Sequence, residues 1–505
     1  MFLLFIFLAT VQVSAVLCEF PEARPPVGDR TYTSTAIDSL ISNLSPLLSD
    51  PDLAVLLSNC LPNTLDTTVN YFGQAPDWDG LDSFIITGDI TALWLRDSAN
   101  QIIPYAPYIA QDESLKELFQ GLINRQAHSI LIDSFANAFN FNASGDGAQT
   151  DIRKPPMTRA VFEGKYEIDS LCAFLKLSHW YNYYGQLSAS EYAVVYDETW
   201  YSAVNKLLDT VSIMMATNGL SEEQPYLFQR MTTVATDTLY NNGKGPPAKI
   251  VGMSRQLFRP SDDAVTLPFN IPGNAMACTE LTHLLDLFDI IDGATETRHV
   301  RHAELKSYAT ETKNSLCAAL SAELAKDEVI PFEVDGFGSK YFMDDANIPS
   351  LLSLPVLGYM STSNPSYLAT RNYVLSTENP YYFTGPEGHG IGGPHEGYNM
   401  TWPMAIITTV MTSDDDAEIM ECLQMLKDSA RRTGFMHEAF NVNNVNDYTR
   451  SWFAWANGLF GEMMLQLVLT KPHLVVGTDA EVVALAQSYV QPPVCLEAQR
   501  NTIVS

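Results

Sequence analysis

The residues of this chain best suited to chemistry are carboxylates set in polar, aromatic-rich stretches. Glu438 stands between His437 and Ala439, ahead of an Asn-rich segment, Asn441 to Asp447. Apolar residues follow at Trp452, Trp455, Ala456, Leu459, Phe460, Met463 and Leu467. That spacing predicts a buried helix over 449–470, so Glu438 is expected on a loop held by a rigid element. Asp262 and Asp263 form a second acidic point, in RQLFRPSDDAVTLPFNIPGN beside Arg259. Ser261 is placed to cap a short helix carrying both aspartates in its first turn, before Pro268 and Pro272 interrupt it. Adjacent carboxylates repel, and partial burial would raise one pKa toward the range a general acid needs.

Four other stretches mix acids, amides and aromatics. TGDITALWLRDSANQI holds Trp94, Arg96 and Asp97. Arg96 and Asp97, one apart on a helix, point to different sides and need not pair, leaving each to hold a sugar hydroxyl. YEIDSL opens a helix with the stripe Ile168, Leu171, Cys172 and Leu175. Glu167 and Asp169 fall off that stripe, near a helix N-terminus that favours carboxylates, so capping and sugar binding both suit them. FGSKYFMDDANIPSLLSLP supplies Asp344, Asp345 and Asn347 ahead of an apolar helix, and GPEGHGIGGPHEGYNMTWP supplies Glu387, His389, His395, Glu396 and Trp402.

Competing chemistries fit poorly. The HExxH spacing is absent and no CxxC occurs, so no metal or other cofactor is expected. There is no GxxxxGK[ST] loop for phosphate and no GxSxG nucleophile. Two carboxylates flanking a glycosidic bond remain.

The elements that must position these residues read as helices near 34–50, 91–108, 112–135, 165–185, 192–217, 274–291, 301–325, 344–361, 366–377, 400–412, 414–431 and 449–470. Ser413-Asp414-Asp415-Asp416 looks like an N-terminal cap rather than a site. Short extended pieces are expected around Phe84–Thr87 and Val329–Val334. With no βαβ rhythm and no linker, the expectation is an all-α single domain, a barrel of paired helices with the site in the loops at one end.

The chain has 505 residues, 46% hydrophobic and only 17% charged, with a formal net charge of −30. That balance disfavours nucleic acid and anionic lipid as partners and suits a neutral substrate. Residues 1–18 read as a signal peptide, an apolar run ending at Val13-Ser14-Ala15, too short for a span of ~20 residues. Secretion or residence in the secretory pathway follows, without a membrane anchor after cleavage. Sequons at Asn43, Asn142 and Asn399 agree. The seven cysteines are scattered singly, so one or two disulfides fit, with Cys172, Cys278 and Cys422 expected as buried thiols.

WLRDSANQ, YEIDSL, FRPSDDA, YFMDDANIPSLL, GIGGPHEGYNMTWP, GFMHEAF and TRSWFAWANGLFGE together resemble glycoside hydrolase family 125, the exo-α-1,6-mannosidases. The resemblance runs from Ser83 to Leu467. It implies a metal-independent, inverting (α/α)6 barrel that removes terminal α-1,6-linked mannose from mannans or N-glycans. By motif, Glu438 takes the place of the general base, and Asp262 or Asp263, with a slight preference for Asp262, that of the general acid. Arg96, Asp97, Asp169, Asp345, Asn347, His395, Arg450 and Trp452 would line the terminal-mannose pocket, walled by Gly385–Pro403. A glycan on Asn399, inside one of these motifs, would crowd that pocket. Two other readings stay open: a related barrel acting on glucosides, and an inactive mannan-binding protein.

Overall fold

The computed structural model describes residues 20–294 and 299–504. The expected signal peptide, residues 1–18, and Cys18 lie outside the described residues. The chain is mostly helical, with several small antiparallel sheets at helix starts. Among the described residues, no helix is long and apolar enough to cross a membrane.

The helices form where the apolar spacing and caps demand them. In Glu198–Met215 the stripe Val204, Leu207, Leu208, Val211 and Met214 is buried, and the Asp197 carboxylate accepts the Trp200 N–H at 3.0 Å. Asp415, from the acidic triplet, caps Asp416–Ala430 by accepting from Ala417 N at 2.8 Å. A second kind of helix is buried on every side: all nine residues of Pro403–Met411, and Ala454 through Val468 in Ala454–Thr470. These helices sit inside. Ala454–Thr470 packs on Leu95–Ile102 and Pro403–Met411, Leu95–Ile102 on Ile168–Gly185, and Ile168–Gly185 on Ile271–Ala294. Around them lie Glu113–Ile132, Glu198–Met215, His302–Leu324, Asp416–Ala430 and Pro51–Cys60.

The expected helix over 344–361 does not form; the segment is a run of turns. Pro349 and Pro355 have no N–H to give a helix. The Asp344 carboxylate instead accepts the N–H groups of Leu351 (2.8 Å) and Leu352 (2.9 Å). Prolines shorten a second element: the helix expected to reach 108 ends at Ile102, and Pro104 and Pro107 continue it as a 3₁₀ run to Gln111. The 192–217 helix divides into Ala189–Val195 and Glu198–Met215 at Asp197. Helices at Pro51–Cys60, Ala480–Tyr489 and Val494–Arg500 were not expected from the sequence.

Cys278 is not a thiol: it is disulfide-bonded to Cys317, joining the inner helix Ile271–Ala294 to the outer His302–Leu324. Cys172 and Cys422 are buried and free. Closing a loop of 39 residues restricts the unfolded chain, so Cys278→Ser is expected to lower unfolding free energy by about 4 kcal/mol in denaturant titrations.

Candidate active site

One small sheet aims two helices at a common point. Leu93–Trp94 pairs with Ala138–Phe139, which pairs with Val161–Glu163. Helix Leu95–Ile102 starts from the first strand, and helix Ile168–Gly185 follows the last closely. From the first start, buried Arg96 reaches Glu167 (2.6 Å), Asp169 (3.1 Å) and Asp262 (3.2 Å). Its Nε also lies 3.4 Å from Asp97 Oδ2, so these neighbours do pair. The arginine is long enough to reach its neighbour while its other nitrogens hold three carboxylates. Glu167 sits at the N-cap yet makes no capping bond; it and Asp169 serve Arg96 instead.

Asp262 and Asp263 lie in a turn, not in the first turn of a helix. Asp262 N–H donates to Arg259 O (2.9 Å), Arg259 N–H donates to Asp263 O (2.7 Å), and Asp262 takes φ +66°, a left-handed conformation that aspartate tolerates. The turn separates the two carboxylates. Asp262 faces the cavity described below. Asp263 faces Ser261 (3.4 Å) and His395 (3.7 Å) and is not on the cavity wall.

The expected like-charge upshift does not occur at Asp262. Burial works against its ionised form, but Arg96 and Lys165 outweigh that and hold the carboxyl well below the usual range. Its partner Glu167 goes the other way: burial and the adjacent Asp262 push it well up. Asn137, which sequence reasoning passed over, donates 3.2 Å bonds to both Glu167 and Asp262. Burial also raises Asp97 to about 6 despite Arg96.

Glu438 is 5% exposed, on a loop stapled to the Ala454–Thr470 helix. Asn457 Oδ1 accepts Met436 N–H (2.8 Å), Asn457 Nδ2 donates to Asn63 (3.0 Å), and Phe453 N–H donates to Met436 O (2.8 Å). The Asn-rich stretch is a hairpin, Phe440–Asn441 against Asn444–Tyr448. It returns the chain so that Arg450 Nε donates to Glu438 Oε2 at 2.6 Å, with Asp89 on the other side of the guanidinium. Asn457→Ala would strand the buried Met436 N–H. We expect it to cost about 1–3 kcal/mol in stability, read by thermal unfolding, and to lower activity as Glu438 loosens.

These parts enclose one cavity of about 440 Å³, counting its open mouth. Asp262 and Glu438 both line it, with Arg96, Asp97, Asn347, His395 and Arg450. Trp94, Trp402 and Phe453 supply aromatic wall. Trp94 Nε1 and Trp402 Nε1, both on lining residues, are buried without a hydrogen-bond partner among the described residues, while Arg96 Nε and Asp97 Oδ2 have their 3.4 Å ion pair. Three expected pocket residues lie outside the wall. Asp169 is behind Arg96. Asp345 accepts from Ser261 Oγ (3.0 Å) and Asn347 N (3.2 Å). Trp452, expected on the helix stripe, precedes the helix and covers Gly88, where an added Cβ would come within 2.9 Å of its ring. Asn399 is exposed and does not line the cavity, which removes the crowding expected of a glycan there.

Residues 50–465 match the family described as metal-independent alpha-mannosidase (GH125). The chain belongs to glycoside hydrolase family 125. It is 40% identical over 473 residues to the meiotically up-regulated gene 157 protein of Schizosaccharomyces pombe, covering 90% of each chain. It also superposes with a TM-score of 0.78, at 31% identity, on a metal-independent alpha-mannosidase of Streptococcus pneumoniae solved in a non-productive complex with α-1,6-mannobiose. That match covers 87% of this chain and all of the other.

In this family 125 member, His395, Glu396 and Glu438 each place one ligand-capable atom within 4.8 Å of the others. A metal ion is poorly served there. Burial disfavours the charged His395 ring, but Asp263, Asp262 and Glu438 outweigh burial and raise it to about 10. A metal ion there would have to displace the ring proton.

Proposed function

We propose that this chain is an exo-acting, inverting α-1,6-mannosidase that removes terminal mannose from mannans or N-glycans. The observation that carries the reading is that Asp262 and Glu438 share one cavity with an arginine-bound acid cluster on one side and an arginine-held carboxylate on the other. The partnerless indole N–H groups of Trp94 and Trp402 suit sugar hydroxyls, and the aromatic wall suits sugar C–H faces. The pneumococcal relative's α-1,6-mannobiose supports the linkage.

In this mechanism Asp262 is the acid and Glu438 the base. Glu167 and Asp262 are adjacent buried carboxyls that share one proton, and Asp262 carries it when the sugar is bound. Asp262 gives it to the glycosidic oxygen as the bond to the anomeric carbon breaks. Glu438 takes a proton from water attacking the opposite face, which requires the two carboxylates ~6.5–9.5 Å apart. Arg96, Asp97, Asn347, His395 and Arg450 bind the mannose, while Asp169 and Asp345 position Arg96 and the 259–263 turn.

We read the scaffold as a single-domain (α/α)6 barrel in which the turns of 348–358 stand where a sixth inner helix would run. We also read the protein as secreted or retained in the secretory pathway. The apolar leader, the Cys278–Cys317 bridge and the exposed sequon residues Asn43 and Asn142 support this. Assay of α-1,6-mannobiose and aryl α-mannosides against the matching glucosides tests the specificity: mannose release alone is expected, and no release from α-1,6-mannobiose would end it.

A further inference from the structure

We infer that His395 and Glu396, together with Glu438, cradle the attacking water, so that Glu396 is a catalytic residue for the reaction proposed above. The geometry is restrictive. If three atoms lie within 4.8 Å of one another, some point lies no farther than about 2.8 Å (4.8 Å divided by √3) from all three. That is hydrogen-bonding distance for a single water oxygen.

Each atom has the right chemistry. Glu438 spends Oε2 on Arg450 and Thr449. The residue is more than nine-tenths buried and lines the cavity, with the Glu396 carboxyl within hydrogen-bonding reach of it. His395 has Asp263 at Nδ1 (3.7 Å), which leaves Nε2, 4.0 Å from Glu396 Oε1, as the inward atom. Cationic His395 donates one hydrogen bond to the water. The water donates its two hydrogens to Glu438 and Glu396, and its remaining lone pair is free for the anomeric carbon. As the C–O bond forms, Glu438 takes one of those protons and the other stays on the new hydroxyl. Burial and the nearby Glu438 raise Glu396 to about 7, as expected for two carboxylates facing one small space.

Glu396 is half-buried one residue beyond His395, behind the cavity wall rather than on it, and two residues before Tyr398, which is 81% exposed. The loop is therefore free at its tip, and His395 itself is partly exposed. Removing the Glu396 side chain should not unfold the protein.

The test compares wild type, Glu396→Ala and Glu396→Gln in the full chain with α-1,6-mannobiose as substrate. The Ala variant is expected to lose about 100-fold in kcat, within the range for a positioned proton-transfer group. Its binding constant for mannobiose, measured calorimetrically, should change less than about 2-fold. Formate, a small carboxylate able to fill the gap, should restore turnover at least about 10-fold in the Ala variant and do nothing to wild type. The Gln variant keeps one acceptor and should lose less than Ala. If wild type turns over and the Ala variant stays within about 3-fold of it, the cradle is wrong and the mannosidase reading stands. A loss shared equally by kcat and binding, without formate rescue, also overturns it. A wild type that releases no mannose overturns both.

Discussion

Glu438→Gln should lower kcat on α-1,6-mannobiose by about 10³-fold or more while leaving its binding constant nearly unchanged. The amide has the shape of the carboxylate and still accepts from Arg450, so the 434–439 loop, held through Asn457 and Phe453, has no reason to move. What is lost is the ability to take a proton from water. Paired kcat and calorimetric binding measurements separate this from a binding defect. An inactive mannan-binding protein would show no turnover to lose, and retained turnover in the mutant would remove Glu438 as the base.

The second large effect separates two adjacent aspartates. Asp262→Asn should cost about 10³-fold on α-1,6-mannobiose, because its sugar leaving group needs a proton. On a dinitrophenyl α-mannoside, whose leaving group departs unprotonated, the same variant should stay within about 10-fold of wild type. Asp263→Asn should differ in pattern. Asp263 does not line the cavity and acts through His395 and Ser261, so its loss should be smaller, about 10-fold, and alike on both substrates. A larger, leaving-group-dependent loss at Asp263 would reverse the assignment.

The helical stripes and the cluster of motifs were legible because burial patterns repeat within a few residues. Glu438 ahead of a buried helix, and Asp415 as a cap, followed from local spacing alone. The 348–358 turns were not read from the sequence, because the apolar stripe of Ser-Leu-Leu-Ser-Leu-Pro masked Pro349 and Pro355, and the Asp344 side chain, reaching forward to two N–H groups, adds to them against the helix. One or two disulfides were expected and one is present, but Cys278 was read as a thiol because it sits on a buried stripe whether bridged or free. The electrostatics of Asp262 depend on Arg96 and Lys165, 166 and 97 residues away in sequence, so no local reading could set their sign. Trp452 looked like core and like pocket; it is a cover over Gly88, which only the folded chain shows.

The claim on which the account turns is that water, directed by Glu438, attacks opposite to the bond that Asp262 protonates. A proton NMR time course of α-1,6-mannobiose hydrolysis observes this before mutarotation hides it. The account predicts β-mannose as the first sugar released, with α-mannose growing in later. α-Mannose appearing first would contradict it.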